Sequence, residues 1–462
     1  MLRKFIGDRE FYRRTLAVTI PIIAQNGITQ FVNLLDNIMV GQVGTQAMTG
    51  VAIVNQLFYV FNLCIFGAVS GAGIFGAQFF GRSDHDGLRY VFRFKLIIAG
   101  IICAVGISSF LAFDDALISL FLRGEGSAED IAAALGYGKE YLAIMCIGLV
   151  PFAAVQVYSG TLRETGQTVV PMKAGIAAVL TNLIGNYILI FGKFGAPALG
   201  AAGAAIATVA SRFVEFGVIA VWTHRHKDIN KFIAGAYKSL YIPGDLCRRI
   251  IVKGTPILAN EALWSAGMSV LTQCYSVRGF EVVSAINISS TISNLFAIVT
   301  MALGSSISII VGQALGTGDM ERARDTDNKL IAFSLVCSSA CAVLMVFASP
   351  FIAGAYNVTD GVKTLATDFL IIASINMPMR SFCNSCYFTL RSGGKTLITF
   401  LFDSVSIWTL SVPLAYCLAH FTSMDIVTLY LCCNLIDLVK CAIGYVMVKR
   451  GKWLHNLVAA EA

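Results

Sequence analysis

The sequence predicts an all-α polytopic membrane protein: about twelve transmembrane helices in two pseudo-symmetric six-helix lobes. Three observations carry this prediction. The 462 residues are 56% hydrophobic and only 13% charged, which is more apolar surface than a water-soluble fold can cover. The second half repeats the first: Pro21, Gly44, Gln78, Gly81, Asp84 and Arg89 return as Pro256, Gly279, Gln313, Gly316, Asp319 and Arg324, each 235 positions on. Thr161-Leu162-Arg163 with Gly166 and Thr168 returns as Thr389-Leu390-Arg391 with Gly394 and Thr396, 228 positions on. Third, Lys and Arg cluster in alternate connections, the signature of a chain threaded repeatedly through a bilayer.

Apolar stretches of roughly 20 residues, enough to cross the hydrocarbon, centre near residues 27, 63, 104, 147, 180, 210, 262, 298, 338, 376, 407 and 437. Backbone groups have no water partners in lipid, so continuous stretches of this length must be helices. The first is basic before it and lacks a small-residue cleavage site, so it reads as an uncleaved span. Within it Asn26, Thr29, Asn33 and Asp36 recur at helical spacing, flanked by Gln30 and Asn37. Such a stripe lines water or makes helix–helix hydrogen bonds.

The second span leads into GAQFFGRSD and a basic connection that counts Arg82, Arg89, Arg93 and Lys95. The turn after the third span is acidic (Asp114, Asp115, Glu125, Glu129, Asp130, Glu140) and reads as a solvated loop. The fourth ends in TLRETGQT; the fifth presents Thr181, Asn182 and Asn186. In the sixth, Arg212 and Glu215 read as a surface pair, and the HRHKDINKFIAGAYKSLYIPGD connector that follows is polar and basic. His224 and His226 flank an Arg there and read as part of a solvated basic patch.

The seventh span puts Glu261, Trp264, Ser265, Met268 and Thr272 on one face. If that helix begins near Ile250, Glu261 lies near mid-bilayer, where a carboxyl is costly and calls for a partner or a water-filled cavity. It could exchange a proton or hold a cation, and Trp264 one turn away offers a face to a flat organic cation or packs in the core. Asn287, Ser290, Thr291 and Asn294 form a stripe in the eighth. In the tenth, Arg380 is too deep to snorkel and should pair with Asp403 or Asp437, with Lys440 one turn from Asp437. Structural ion pairing is the plain reading of these four.

Lys and Arg number 5 before the first span and 7 between spans six and seven, against the scattered Arg123, Lys139, Lys193, Arg278 and Lys363 on the other side. Both termini are therefore expected in the cytoplasm. An even number of spans per half makes the repeat parallel, with lobes over 11–222 and 247–449 and a connector over 223–246. The net charge of +7 serves this topology and implies no nucleic-acid partner. Most of the thirteen Cys fall within spans and read as packing residues, including Cys383 and Cys386.

Duplicated bundles with a polar seam point to secondary transport. A membrane-embedded enzyme would need a motif such as HExxH, a Ser-Lys pair or paired intramembrane Asp, and none is present. A lipid-linked oligosaccharide flippase would need a strongly basic cavity, whereas these stripes are neutral or acidic.

Asp36, Glu261 in NEALWSAG, the duplicated GAQFFGRSD and VGQALGTGD, and the duplicated TLRETGQT and TLRSGGKT together resemble the MATE family, multidrug and toxic compound extrusion. The resemblance spans nearly the whole chain and suggests a divergent bacterial branch. It implies an inner-membrane exporter that rocks between two open states, exchanging protons or sodium ions for organic cations. It also implies Asp36 and Glu261 as the coupling acids, Na+ at either as the only metal, no cofactor, and a monomer in lipid. Two positions depart from the family pattern. NorM-like members carry a third acid where this chain has Arg380, and DinF-like members follow the fifth-helix Asn with Asp where this chain has Asn182 and then Asn186.

Overall fold

The computed structural model describes residues 5–122, 127–354, 356 and 358–459, and the side chains of all of these but residues 33, 34, 37 and 128. Asn33 and Asn37 of the first stripe, with Arg3, Lys4, Arg123 and Glu125 of the charge pattern, therefore lie outside the described residues or side chains. Among the described residues there is no strand.

Among the described residues twelve long helices follow one another: α1 (Arg9–Gly41), α2 (Thr45–Gly81), α3 (His85–Ala112), α4 (Ala128–Glu164), α5 (Val169–Phe191), α6 (Gly200–Arg225), α7 (Gly244–Ser276), α8 (Phe280–Gly316), α9 (Met320–Gly354), α10 (Asp360–Ser392), α11 (Thr396–Phe421) and α12 (Ile426–Lys449). Ten are long and apolar enough to cross a membrane. The other two, α7 and α10, are each 33 residues long and carry the polar and charged positions around Glu261 and Arg380. The protein is a polytopic, all-α membrane protein.

The repeated motifs build repeated joints. Gly44 and Gly279 take φ of +145° and +125° just before α2 and α8, a backbone that a side chain would strain. Asp84 then caps α3 by accepting from the Gly87 amide at 2.8 Å, and Asp319 accepts from the Arg322 amide at 2.9 Å at the start of α9. Helix α11 departs from regular geometry: Leu401–Val405 and Ile407–Ser411 are π-helical turns, a form found often at functional sites.

The chain divides into two compact units. One comprises residues 24–76 and 84–251, the other 1–23, 77–83 and 252–462. In the first, α5 and α6 approach closely because their contact positions are small: a Cβ on Gly185 would press on Ala207, and one on Gly203 on the Leu189 backbone. In the second, a core of Ile307, Ile310, Val311, Leu315, Phe402 and Trp453 backs α8, α11 and the segment after α12.

Three expectations change. Helix α7 begins at Gly244, not Ile250, because Pro243-Gly244 starts it; Glu261 is still near the middle of the helix. Arg93 and Lys95 are inside α3 and buried rather than in a loop. The Arg93 guanidinium donates to the carbonyls of Ala236, Gly235 and Tyr241, fastening the connector. Glu215 is likewise buried, its side chain 8% exposed and 3.6 Å from Arg212, so that pair is not a surface one.

Candidate functional site

Among the described residues, a polar cluster forms around Asp36 in the first unit and another beside Glu261 in the second. In the first unit, Asn186 of α5 donates an amide hydrogen to Asp36 of α1 at 2.5 Å. The same amide group lies 3.2 Å from the Asn182 side-chain oxygen, one turn back, and Asn182 donates to Thr208 of α6 at 3.1 Å. Asn182 and Asn186 are 3% and 0% exposed, and the Asn186 Oδ1 atom has no hydrogen-bond partner among the described residues. A buried carbonyl oxygen left without a donor costs about 1–3 kcal/mol, so the cluster is short of positive charge or hydrogens. The Asp36 carboxylate, two amide oxygens and a hydroxyl are the donor set of a hard cation or a proton.

Arg212 sits within electrostatic reach of Asp36, its guanidinium 4.9 Å from the Phe152 ring centroid. Asn26 is half-buried on α1, and the Thr29 hydroxyl bonds its own helix at Gln25, so Thr29 contributes less to the stripe than its spacing suggests. Gln25 in turn accepts from Arg163 at 2.5 Å.

In the second unit, Glu261 is half-buried on α7 and feels the charges of Arg391 and Asp403. Its neighbour Asn260 is the hub. Asn260 donates to Asp403 at 3.2 Å, and both its backbone and side-chain oxygens accept from Ser404, at 2.8 and 2.7 Å. The π turn at Leu401–Val405 carries Asp403 and Ser404 side by side to Asn260. Lys440 of α12 reaches the other Asp403 oxygen at 3.4 Å and lies over the Phe402 ring.

Arg380 pairs with Asp437 rather than Asp403, at 3.7 Å, and its side chain is 52% exposed. Asp437 also accepts from Asn376 at 2.7 Å. Trp264 and Ser265 are half-buried on the Glu261 face, while Asn287 and Asn294 are exposed along α8 with Ser290 and Thr291. The connector histidines are engaged by aromatic neighbours: His224 shares a hydrogen with the Tyr158 hydroxyl at 3.1 Å, and His226 stacks on Trp222.

Sequence reasoning missed Asn260, Ser404, Asn376 and Thr208. Of these only Asn260 carried a signal, as a polar residue adjoining Glu261 in an apolar stretch. It also missed a buried pair in α3 and α4, where Lys95 contacts both Glu164 oxygens at 2.6 Å and the Thr161 hydroxyl at 3.2 Å.

The MatE family model matches residues 21–188 and 256–417, one block in each half. A Thermotoga maritima protein named as a probable multidrug resistance protein, NorM, is 24% identical over 97% of this chain and 94% of its own. The multidrug resistance protein MdtK of Edwardsiella ictaluri is 26% identical over 88% and 87%. A crystal structure of MATE in complex with MaD3S superposes with a TM-score of 0.86 at 18% identity, covering 98% of both chains.

Proposed function

The chain belongs to the MatE family of membrane transporters, which are not enzymes, and on that premise we propose that it exports several organic compounds, cationic ones foremost, in exchange for protons or sodium ions. The observation that carries the reading is the Asp36–Asn186–Asn182–Thr208 network, an oxygen-rich cluster with one carboxylate and an unsatisfied buried carbonyl. Names of relatives from Thermotoga and Edwardsiella supply the multidrug class.

In this scheme the coupling ion binds Asp36, replaces the missing hydrogens around Asn186, and stabilises the state in which substrate has left. Substrate binding favours the ion-free state. Ion and substrate are thus coupled through the conformation each prefers, and neither does work unless its affinity differs between states. Glu261 is the second acid, with Trp264 and Ser265 lining the substrate path and the exposed Asn287 and Asn294 wetting it. No cofactor is required beyond the ion. The setting is the bacterial cell membrane, with both termini cytoplasmic and a monomer as the working unit.

The test is dye export from energised vesicles with pH and sodium gradients imposed separately. Export driven by one gradient and lost in Asp36→Asn is expected. Export indifferent to both gradients would refute antiport.

A further inference from the structure

The segment after α12 folds back on the ends of α2, α8 and α10. Trp453 is fully buried, its indole donating to the Val448 carbonyl at 3.0 Å. The seat for it is written into the second copy of the TLR motif. Where the first copy has Thr165-Gly166, the second has Gly393-Gly394. A Cβ on Gly393 would collide with the Trp453 carbonyl, and one on Gly394 would lie 2.7 Å from Leu457, whereas Gly166 has open space around it. The departure from the repeat occurs where the tail lies.

Beyond that seat the tail grips α2. Gln78, fully buried, accepts from the Leu457 amide at 2.7 Å and donates to the carbonyls of Ser392 at 2.8 Å and His455 at 3.4 Å. Arg82 donates to the Val458 carbonyl, and Asn456 donates to the Gly316 carbonyl at 3.3 Å. The repeat partner of Gln78, Gln313, is held instead by Arg14 of α1, at 2.8 Å. Between them the α2 and α8 ends touch through glycines: a Cβ on Gly81 would overlap the Gln313 carbonyl, and one on Gly316 the Gln78 carbonyl. Residues 77–83 group with the tail, while 45–76 of the same helix group with the other unit.

We infer that residues 450–459 form a latch that clasps the Gly81 end of α2 through Gln78 and Arg82, and that the latch must release them for the transport cycle to proceed. This rests on the alternating-access reading above. The tail bonds α2 mainly through its own backbone, so the grip tolerates sequence change but not loss of length.

The test uses the full-length protein in vesicles with Arg82→Cys and Val458→Cys combined, each single variant serving as a control for the native cysteines. Bridging the two thiols with a reducible bis-methanethiosulfonate reagent about as long as the arginine side chain it replaces, verified by mass spectrometry, is expected to stop dye export, and reduction to restore it. Undiminished export by the cross-linked protein overturns the latch. Hydrogen–deuterium exchange separates this from failure of the exporter reading, since it needs no substrate. Gln78→Ala, and a chain ending at Gly451, should each speed exchange over residues 77–83 by about tenfold or more, as expected when two or more hydrogen bonds are lost. Unchanged exchange in the well-folded Gln78→Ala variant also overturns it.

Discussion

Thr389 donates its hydroxyl hydrogen to Asp327 at 2.5 Å, with both side chains fully buried. Its repeat partner Thr161 faces the opposite charge, accepting from Lys95 at 3.2 Å. One duplicated threonine thus serves an acid in one half and a base in the other, and the base is balanced by Glu164, which fits because Gly73 and Gly76 leave room for its carboxylate. Breaking a buried pair strands a charge, whereas removing both partners does not. Lys95→Met is expected to destabilise by about 3–5 kcal/mol, and Lys95→Met with Glu164→Leu by much less. Thermal unfolding in detergent decides it: equal losses in the single and double variants would contradict the account.

The Asp36–Asn186 bond makes a second prediction. Asn186→Ala removes a donor to a carboxylate, an interaction of about 1.5–3 kcal/mol, or roughly 10- to 150-fold in the affinity it supports. Apparent affinity for the driving ion should change by about that factor, read from initial export rates against ion concentration, while Asn26→Ala should change it little. Equal effects would remove Asn186 from the site.

How much of this was legible depends on the kind of signal. Hydropathy and the 235-residue offset needed only sequence order, so the all-α membrane class and the recurrence of Gly44 and Asp84 as Gly279 and Asp319 could be read directly, whereas the turns and caps these residues build came from the structure. Partner choice could not be read this way. The π turns of α11 rotate Asp403 toward Asn260 and Lys440, and Arg380 is left to Asp437; regular helical spacing does not encode that rotation. Lys95 looked like a loop cation because a single charge near an apolar stretch moves the apparent span boundary, and Glu164, which neutralises it, is 69 residues away. Glu215 misled in the same way, since its three-residue spacing from Arg212 fits a solvated helix pair as well as a buried one.

Asn260 should matter more for the second unit's stability than Arg380. Asn260→Ala would take a hydrogen-bond donor from the half-buried Asp403, while Ser404 keeps the backbone carbonyl of residue 260 as its acceptor; losing a bond to a carboxylate costs about 1.5–3 kcal/mol. Thermal unfolding is the readout, and a neutral result would show that water replaces the amide.

Arg380 makes a loose, half-exposed pair, and such pairs contribute roughly 0–1 kcal/mol. Arg380→Gln should therefore fold normally, with Asp437 still held by Asn376. The guanidinium is a fixed positive charge in the second half. Its removal is expected to alter the ion dependence of export, measured with pH and sodium gradients separately, and an unaltered dependence would eliminate that role.

The tail carries a pH dependence of its own. His455 lies outside the spans, where partial burial and the charges of Lys395 and Lys253 hold its imidazole below the usual histidine range. Docked, the ring resists protonation; released, it titrates near the ordinary value of about 6.5. Well above that pH both forms are neutral and docking is at full strength. As pH falls through the released value toward the docked one, the released form takes up protons first and the tail is drawn off. Exchange over residues 77–83 and 453–459 should therefore quicken as the pH falls through about 6.5 and below, beyond the intrinsic pH effect on exchange seen in His455→Gln. If wild type and His455→Gln show the same pH profile, the imidazole does not control docking.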